Sequence, residues 1–305
     1  MFSKQAIPAL PRQFIGKWNK RVYSVISELG RGANGTVYLA LFQGKKLAVK
    51  VGADSIDLLM EVNMLKNVHQ AQSQKVGPLV TDLDDVVIDG KTLSFYAMEY
   101  VEGEPLDRYV ERVGTEWVPV LMVQLLSRLG VLHGKGWAFG DLKPQNVIVD
   151  QKSKQVCLID FGGVTKHGNA IRQFTEEYDR AHWQAGDRRA DSAYDLFSLA
   201  VMMIRLMIGK EAWKTMPSGA RQIQLLCDII RDNESLYPFR VPLLKAFHGK
   251  YAEAAEMKQD MLHSISERNN QYASKKSGGT GGRWVARLFV VLLLILAGSM
   301  FFAWM

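Results

Sequence analysis

The sequence predicts an α+β fold of two lobes, a small β-rich lobe followed by a larger α-rich lobe, with one C-terminal transmembrane helix after them. Three observations support this prediction. Residues 22–51 alternate apolar and polar side chains around four glycines, as in a twisted antiparallel sheet with tight turns. From residue 117 onward the apolar spacing is mainly helical. Residues 284–305 are apolar except for Arg287 and Ser299.

Changes in pattern along the chain set the predicted boundaries. Residues 1–21 form an N-terminal extension, and a two-lobed domain covers residues 22–263, with its lobes meeting near Val101. Inside the first lobe, "SIDLLMEVNMLKNV" has helical spacing, whereas "TLSFYAMEYV" returns to a strand pattern. Residues 264–283 contain "SKKSGGTGG" and are predicted to be a flexible basic linker.

The net charge of +7 is concentrated near the C-terminus. No acidic residue follows Glu267, so five cations there leave only +2 for the rest of the chain, and a nucleic-acid face on the main domain is not expected. The two cysteines, Cys157 and Cys227, lie far apart, which excludes a disulfide framework or a cysteine-based zinc site and favours a reducing compartment. The five cations of the tail are Arg268, Lys275, Lys276, Arg283 and Arg287.

The apolar C-terminal segment predicts a tail anchor. The stretch after Arg287 has about 18 residues, and as a helix it would cover roughly 27 Å of a hydrocarbon core about 30 Å thick. Because cations precede this segment, the positive-inside rule places the N-terminal domain in the cytoplasm and the protein at the cell membrane. The basic linker is then expected to attract anionic membrane lipids. Small residues such as Ala297 and Gly298 would favour helix pairing and hence a homodimer.

A glycine-rich motif opens the first lobe. Gly30, Gly32 and Gly35 have the G-x-G-x-x-G spacing, and Val37 follows them. A dinucleotide-binding turn would continue into a helix, but "TVYLALFQGKKLAVKV" is alternating and β-branched, so these glycines lie in a hairpin. Such a hairpin lets the backbone approach phosphate oxygens without a side-chain clash.

Two charged residues follow the hairpin. Lys50 ends the strand pattern "LAVK", and Glu61 comes eleven residues later on the predicted helix. Each of them alone is more typical of a solvated surface charge. The motifs that come later in the chain make the two residues a candidate ion pair.

The most specific stretch is "DLKPQN", from Asp141 to Asn146. Fourteen residues after Asn146 comes "DFG", with Asp160 behind the apolar run "VCLI". Phosphoryl transfer needs one carboxylate to orient the attacking hydroxyl, and an amide with a second carboxylate to hold Mg²⁺ against the phosphates. The spacing therefore predicts a phosphotransferase.

The ordered motifs resemble those of a eukaryotic-like bacterial Ser/Thr protein kinase over about residues 22–263. The resemblance rests on the glycine hairpin, Lys50, Glu61, "MEYVEG", "GDLKPQN", "DFG" and "DLFSLAVMM". Together with "YDR", the tail anchor without an extracellular sensor is similar to the YabT-type branch from spore-forming bacteria. That branch implies a role in sporulation and DNA as an effector of the basic tail.

The resemblance implies how ATP is held. Lys50 would contact the α- and β-phosphates and pair with Glu61. The residues that would cover and line the ATP site are Gly30, Gly32, Gly35, Val37, the gatekeeper Met98, and the hinge from Glu99 to Val101.

The resemblance also assigns the chemical roles. Asp141 would be the catalytic base and Lys143 would neutralise the γ-phosphate, while Asn146 and Asp160 would bind Mg²⁺ or Mn²⁺. Phe139, Phe161 and Leu65 would form the packed column that aligns the lobes. Thr175 would bond Asp141 and Lys143, and Asp195 would brace the catalytic loop.

The catalytic loop departs from the family pattern. Phe139 and Gly140 stand where the family has histidine and arginine before Asp141. In the family, that arginine belongs to a cationic pocket which an activation-loop phosphate neutralises, so we expect a kinase that this phosphate does not switch on. The A-P-E triplet is absent too, and Ala181 to Trp183 stand near its position.

Two alternatives stay open beside an ATP-dependent Ser/Thr protein kinase that phosphorylates proteins, including itself. An ATP-binding pseudokinase scaffold would have lost one of Lys50, Asp141, Asn146 or Asp160, and all four are present. In a small-molecule phosphotransferase the loop reads H-G-D, which Gly140 and Asp141 copy in part. The continuation through Lys143 and "DFG" favours a protein hydroxyl as acceptor.

Overall fold

The first lobe is a six-stranded antiparallel sheet with one helix packed on it, and its strands lie in the order β1-β2-β3-β4-β6-β5. The computed structural model describes residues 8–32, 35–52, 54–69, 76–216 and 222–276. The elements of this lobe are β1 (Gln13–Ile15), β2 (Val22–Gly32), β3 (Gly35–Phe42), β4 (Lys45–Gly52), α1 (Ser55–His69), β5 (Val80–Ile88) and β6 (Lys91–Glu99).

Alternation along β4 gives the sheet two buried faces. Leu47, Val49 and Val51 pack into a core that belongs to the first lobe alone. Ala48 belongs instead to the large core that continues into the second lobe, and Lys50 lies on the same face because residues two apart share a face. The face of the sheet that carries Ala48 and Lys50 is therefore the one that faces the second lobe.

The lobe begins earlier than the predicted boundary at residue 22. Phe14, in β1, is buried and stacks on Tyr23 with ring centroids 5.1 Å apart. Asp84 accepts hydrogen bonds from the backbone N–H groups of Trp18 and Asn19, at 3.0 Å each. These contacts make residues 13–21 part of the first lobe, with Gln13–Ile15 as an edge strand of its sheet.

The second lobe is mainly helical, as predicted, and carries two small sheets of strand order β10-β9-β7 and β11-β8. Helices α3 and α4 supply the largest shares of its core. Its elements are β7 (Gly103–Pro105), α2 (Leu106–Val113), α3 (Val118–His133), β8 (Trp137–Ala138), β9 (Val147–Asp150), β10 (Val156–Leu158), β11 (Thr165–Lys166), α4 (Ser192–Ile208), α5 (Lys210–Lys214), α6 (Ile223–Asp232), α7 (Arg240–Phe247) and α8 (Ala254–Lys276).

One described helical stretch, Thr115–His133, is apolar and long enough to cross a membrane by length and composition. More than half of its most apolar window is buried against the rest of the lobe, so this stretch is a core helix. The predicted transmembrane helix at residues 284–305 lies outside the described residues.

The predicted linker from residue 264 is wrong over its first part, because α8 continues to Lys276. Met261, Ser264 and Ile265 are buried, at the spacing that keeps one helix face on the core. The polar run "SERNNQYASKK" hid this continuation, since it contains few apolar residues. Residues 277–283 of the predicted linker lie outside the described residues.

Candidate active site

The strand register places the predicted ATP-binding residues of the first lobe on one face. Lys50 of β4 stands opposite Val37 of β3 and Tyr96 of β6. Ala48 stands opposite Met98, so the gatekeeper position is diagonal to Lys50 on the same face. Glu99 ends β6, and the chain continues through the half-buried Val101 into the second lobe.

Lys50 lies between two carboxylates. Its Nζ is 2.9 and 2.8 Å from the two oxygens of Glu61 and 2.7 Å from Oδ1 of Asp160. Burial lowers the pKa of Lys50, but the negative charges of Glu61 and Asp160 outweigh burial and raise it overall. The side chain is therefore a fixed cation, as a phosphate-binding lysine requires.

The pKa values of Glu61 and Asp160 shift in opposite directions. Burial raises the pKa of Glu61 despite the nearby Lys50. Burial also disfavours the ionised form of Asp160, but the charge of Lys50 overcomes it and lowers the pKa of Asp160. Asp160 therefore stays anionic at neutral pH and can take a cation.

Asp160 and the residue after it connect the two lobes. Asp160 has a left-handed backbone with φ 61°, which turns the chain so that the N–H of Phe161 donates to Oε1 of Glu61 at 2.9 Å. The ring of Phe161 meets Phe139 edge-on with centroids 5.6 Å apart, and Leu65 of α1 belongs to the same buried cluster. The predicted column of Phe139, Phe161 and Leu65 is thus assembled.

The carboxylate of Asp141 is held from both sides. Oδ2 accepts a hydrogen bond from Nζ of Lys143 at 2.6 Å, and Oδ1 accepts one from the hydroxyl of Thr175 at 2.8 Å. Nζ of Lys143 also donates to the hydroxyl of Thr175 at 3.2 Å. A hydroxyl group on Asp141, with a lysine beside it, is the arrangement that a substrate hydroxyl would need.

The side-chain amide of Asn146 is held by a hydrogen bond from its nitrogen to the backbone of the catalytic loop. Nδ2 donates to the backbone carbonyl of Asp141 at 2.9 Å, and the described residues offer no hydrogen bond to its Oδ1. The carbonyl of Asn146 accepts the N–H of Ile159 at 2.9 Å, which brings Asn146 close to Asp160. A carboxylate and an amide oxygen form a donor set of the kind that Mg²⁺ takes while it keeps water and phosphate oxygens, so these residues fit the predicted metal.

Asp195 holds the catalytic loop from α4. Its fully buried carboxylate accepts the N–H groups of Phe139 at 2.6 Å and Gly140 at 2.9 Å. Nε2 of His133 lies 2.9 Å from the same carboxylate. Asp195 therefore contacts the catalytic loop at the place predicted for a brace, and His133 adds a third contact.

The glycines of the hairpin differ in their surroundings. Gly35 has φ 156°, and a Cβ there would overlap the carbonyl oxygen of Val51. A Cβ on Gly30 or Gly32 would meet no atom within 4 Å, so that part of the hairpin presents bare backbone. The tip, residues 33–34, lies outside the described residues.

The sequence did not reveal how the activation segment is anchored without A-P-E. The fully buried carboxylate of Asp179 accepts Nε of Arg188 at 2.8 Å and the hydroxyl of Tyr194 at 3.0 Å. Arg180 forks onto Asp191, at 2.8 and 3.0 Å, where α4 begins. The sequence offers "YDR" as a family motif, but these contacts were not predicted from it, because no local spacing shows that residues 179–180 meet residues 188–194.

The two-lobed fold, the fixed lysine and the paired loops around Asp141 and Asp160 define a phosphotransferase of the protein kinase class. Residues 23–271 match the protein kinase domain, and the chain belongs to that family. Within it, the chain is a YabT-type bacterial Ser/Thr protein kinase: it is 46% identical over 249 residues to the serine/threonine-protein kinase YabT of Bacillus subtilis, covering 81% of this chain and 72% of YabT.

Two more distant relatives are eukaryotic. The serine/threonine-protein kinase SBK1 of Mus musculus is 27% identical over 210 residues, which cover 65% of this chain and 50% of that protein. The maternal embryonic leucine zipper kinase of Xenopus laevis is 27% identical over 206 residues, which cover 62% of this chain and 30% of that protein. The chain thus spans half or less of these two relatives.

Proposed function

We propose that this Ser/Thr kinase phosphorylates protein hydroxyls, its own included, with Asp141 as base and Lys50, Asn146 and Asp160 as the groups that hold MgATP. The observation that carries this proposal is the pair of contacts on Asp141. A hydroxyl oxygen, that of Thr175, lies 2.8 Å from its Oδ1, and Nζ of Lys143 lies 2.6 Å from its Oδ2. An acceptor hydroxyl in the same place would have its proton acceptor and its compensating cation within reach.

The residues divide the work of phosphoryl transfer. Lys50, fixed by Glu61, orients the α- and β-phosphates. When bound, Mg²⁺ neutralises charge on the phosphate oxygens. Asp141 takes the proton of the attacking hydroxyl while the bond from the γ-phosphorus to the leaving ADP oxygen breaks. Lys143 offsets the charge on the transferred group.

Radiolabelled ATP with Mg²⁺ tests this assignment on the full chain in non-ionic detergent. Lys50→Ala and Asp141→Asn should each abolish autophosphorylation, and loss of a positioned base typically costs about 10²–10⁴-fold in rate. Lys46→Ala is the matched control, because Lys46 lies on the same strand but is half exposed and paired with Glu102.

Two outcomes would contradict the assignment. ATP binding without turnover in the wild type would favour the pseudokinase scaffold. Label transfer to a small alcohol, with none to protein, would favour the small-molecule phosphotransferase.

We infer further that a phosphate on the activation loop does not switch the enzyme on. Gly140 offers no cation for such a phosphate, and Thr165 is buried in β11 with its hydroxyl donating to the carbonyl of Gly163 at 2.9 Å. Thr165→Ala should therefore retain phosphorylation of an added substrate. Thr175→Ala should lose most of it, since Thr175 contacts Asp141 and Lys143. Complete loss in a folded Thr165→Ala protein would refute the inference.

We also propose that residues 284–305 anchor the kinase in the cell membrane as a homodimer, with the basic linker on anionic lipid. The apolar length and the five preceding or flanking cations support this proposal. A chain lacking residues 284–305 should move from the membrane to the soluble fraction after cell lysis and lose chemical cross-linking between copies. Equal membrane content of both chains would contradict the anchor.

DNA as an effector of the tail, and with it a role in sporulation, is a separate proposal from the YabT resemblance. So few cations would bind weakly and with steep salt dependence. Lys275→Ala together with Lys276→Ala should weaken DNA binding at low salt. Unchanged binding would exclude the tail as the DNA site.

A further inference from the structure

Arg128, on α3, is a half-buried cation that lacks an ionic partner among the described residues. Its Nε is buried and makes no hydrogen bond. The one hydrogen bond of its guanidinium runs from Nη2 to Oε1 of Gln155 and is long, at 3.4 Å. Burial lowers the pKa of Arg128, as expected for a cation that leaves water without compensation.

Lys258, on α8, is close enough to this arginine for the two positive charges to interact. The two helices are in close contact here, since a Cβ on Gly130 would be 3.8 Å from the Cβ of Ala254. Lys258 is half-buried; burial lowers its pKa, and the charge of Arg128 lowers it further. No carboxylate of the described chain forms an ion pair with either side chain.

Two adjacent cations without a counter-ion are an unusual arrangement in this protein. Lys245, the cation that α7 presents to the same helix, pairs with Asp260 of α8 at 2.8 Å. Arg180 has two carboxylates. A partly buried charge is costly unless an opposite charge compensates it, and a like charge nearby adds to that cost. A bound anion would compensate the partly buried charge of each cation and offset the repulsion between them.

We propose that Arg128, Lys258 and Gln155 form a binding site for a phosphate group, separate from the ATP site. A phosphate carries between one and two negative charges at neutral pH, which can compensate the two cations, and its several oxygens can take the planar guanidinium fork and the ammonium together. The amide nitrogen of Gln155 is a further donor at the same place. The ligand is either a free phosphate anion or the headgroup of an anionic lipid.

The lipid source follows from the path of the chain. Lys258 lies in the first two turns of α8. This helix ends at Lys276, which is eight residues before the proposed anchor at residue 284. The free-anion source needs only access from water, which the half-exposed side chains provide. Both sources present the same phosphate oxygens to the same three residues.

Inorganic phosphate is the first probe, titrated into the full chain in non-ionic detergent at constant ionic strength set with chloride. The melting temperature of the wild type should rise with phosphate concentration, because a ligand that binds only the folded state stabilises it. Arg128→Gln and Lys258→Gln should each weaken binding about tenfold, as loss of a charged hydrogen bond does. Lys250→Gln, an exposed cation changed in the same way, should have no effect.

Lys50→Ala separates this site from the ATP site, since it should leave the phosphate-dependent shift intact even if the kinase assignment were to fail. Vesicles of phosphatidic acid, compared with phosphatidylcholine, identify the source. Weaker binding of Arg128→Gln to the acidic vesicles supports a headgroup, and vesicle binding unchanged with phosphate binding lost supports a free anion. An equal phosphate shift in the wild type and in the double variant Arg128→Gln, Lys258→Gln would overturn the proposal.

Discussion

At the scale of single residues, Gly140 shows why the arginine of the family pattern is absent. Its backbone is left-handed, with φ 84°, and a Cβ there would lie 2.6 Å from the carbonyl oxygen of Gly163. A side chain at this position would therefore push the catalytic loop away from the start of the activation segment. The loop is built around a glycine, which makes the missing cation a structural property of this chain.

Gly140→Ala should consequently destabilise the protein more than another glycine of similar backbone. Gly136 has φ 76° and nothing within 4 Å of a Cβ, so Gly136→Ala should cost only the left-handed backbone, about 1 kcal/mol. Gly140→Ala adds steric overlap and should cost more than about 2 kcal/mol. Urea unfolding of both variants measures the difference. An equal loss of unfolding free energy in the two variants would mean that the Gly163 carbonyl can move away from the new Cβ at no energetic cost.

Asp160 predicts a pH dependence whose sign follows from its partner. The charge of Lys50 lowers the pKa of Asp160 in the folded state below the ordinary 3.8, despite burial. Its contribution to stability is therefore full above that ordinary pKa and is lost as the pH falls through the lower folded value. The melting temperature of wild type should exceed that of Asp160→Asn at pH 6, and the gap should narrow below pH 4. A gap that widens in acid would contradict this sign.

The sequence allowed the residues of the site to be predicted, but it did not allow all the contacts between them to be predicted. Lys50 and Glu61 could be paired because the motifs that follow them along the chain match the protein kinase pattern. The third member of that cluster, Asp160, was assigned to metal only, since its contact with Lys50 joins residues 110 positions apart. Such a contact depends on how the two lobes meet, which local patterns do not encode.

At the scale of elements, the activation segment is tied to α4 by charges within the chain. Asp191 caps α4 by accepting the N–H of Tyr194 at 2.7 Å and also receives the guanidinium of Arg180. Trp183 fills the core beneath, with its indole N–H donating to the carbonyl of Glu177 at 2.9 Å. The segment is thus anchored by charged and aromatic residues of the chain itself.

Arg180→Ala should release this anchor. The side chain is only 10% exposed, although its partners Asp187 and Asp191 are 75% and 41% exposed, so loss of these charged hydrogen bonds should cost about 1.5–3 kcal/mol. Hydrogen exchange of residues 165–191 should become faster and phosphorylation of an added substrate slower. Arg231→Ala is the control, because Arg231 pairs with Asp228 on the exposed surface of α6 and should change neither readout. Unchanged exchange in Arg180→Ala would show that Trp183 alone holds the segment.

Elements with strong periodicity were predicted well, and those held by tertiary contacts were not. The glycine hairpin and α1 follow from alternation and helical spacing that their own residues carry. Strand β1 is three residues long and forms because Phe14 packs on Tyr23 and Phe95, so its own sequence shows no strand pattern. The same applies to α8 beyond residue 263. Ser264 and Ile265 are buried there, although the sequence around them is mostly polar.

At the scale of the whole molecule, one hydrophobic core crosses the boundary between the lobes. Ala48 and Met98 of the sheet, Leu65 of α1 and Phe161 of the second lobe all belong to it. This continuity sets the distance between the Lys50 cluster and the Asp141 loop. A composition-based reading gives two lobes and their order but not this shared core, because the core is formed by residues far apart in sequence.

The end of the folded domain can be tested by truncation. A variant ending at residue 276 keeps the whole of α8 and serves as the reference in urea unfolding. A variant ending at residue 263 loses the buried Ile265 and Ser264 and the stacking of Arg268 on Phe239 at 5.7 Å. Burial of an isoleucine side chain alone contributes about 1.5–3 kcal/mol, so this variant should be less stable by at least that amount. Equal stability of the chains ending at residues 263 and 276 would mean that α8 beyond His263 adds nothing to the fold, and the domain would then end where the sequence pattern alone placed it.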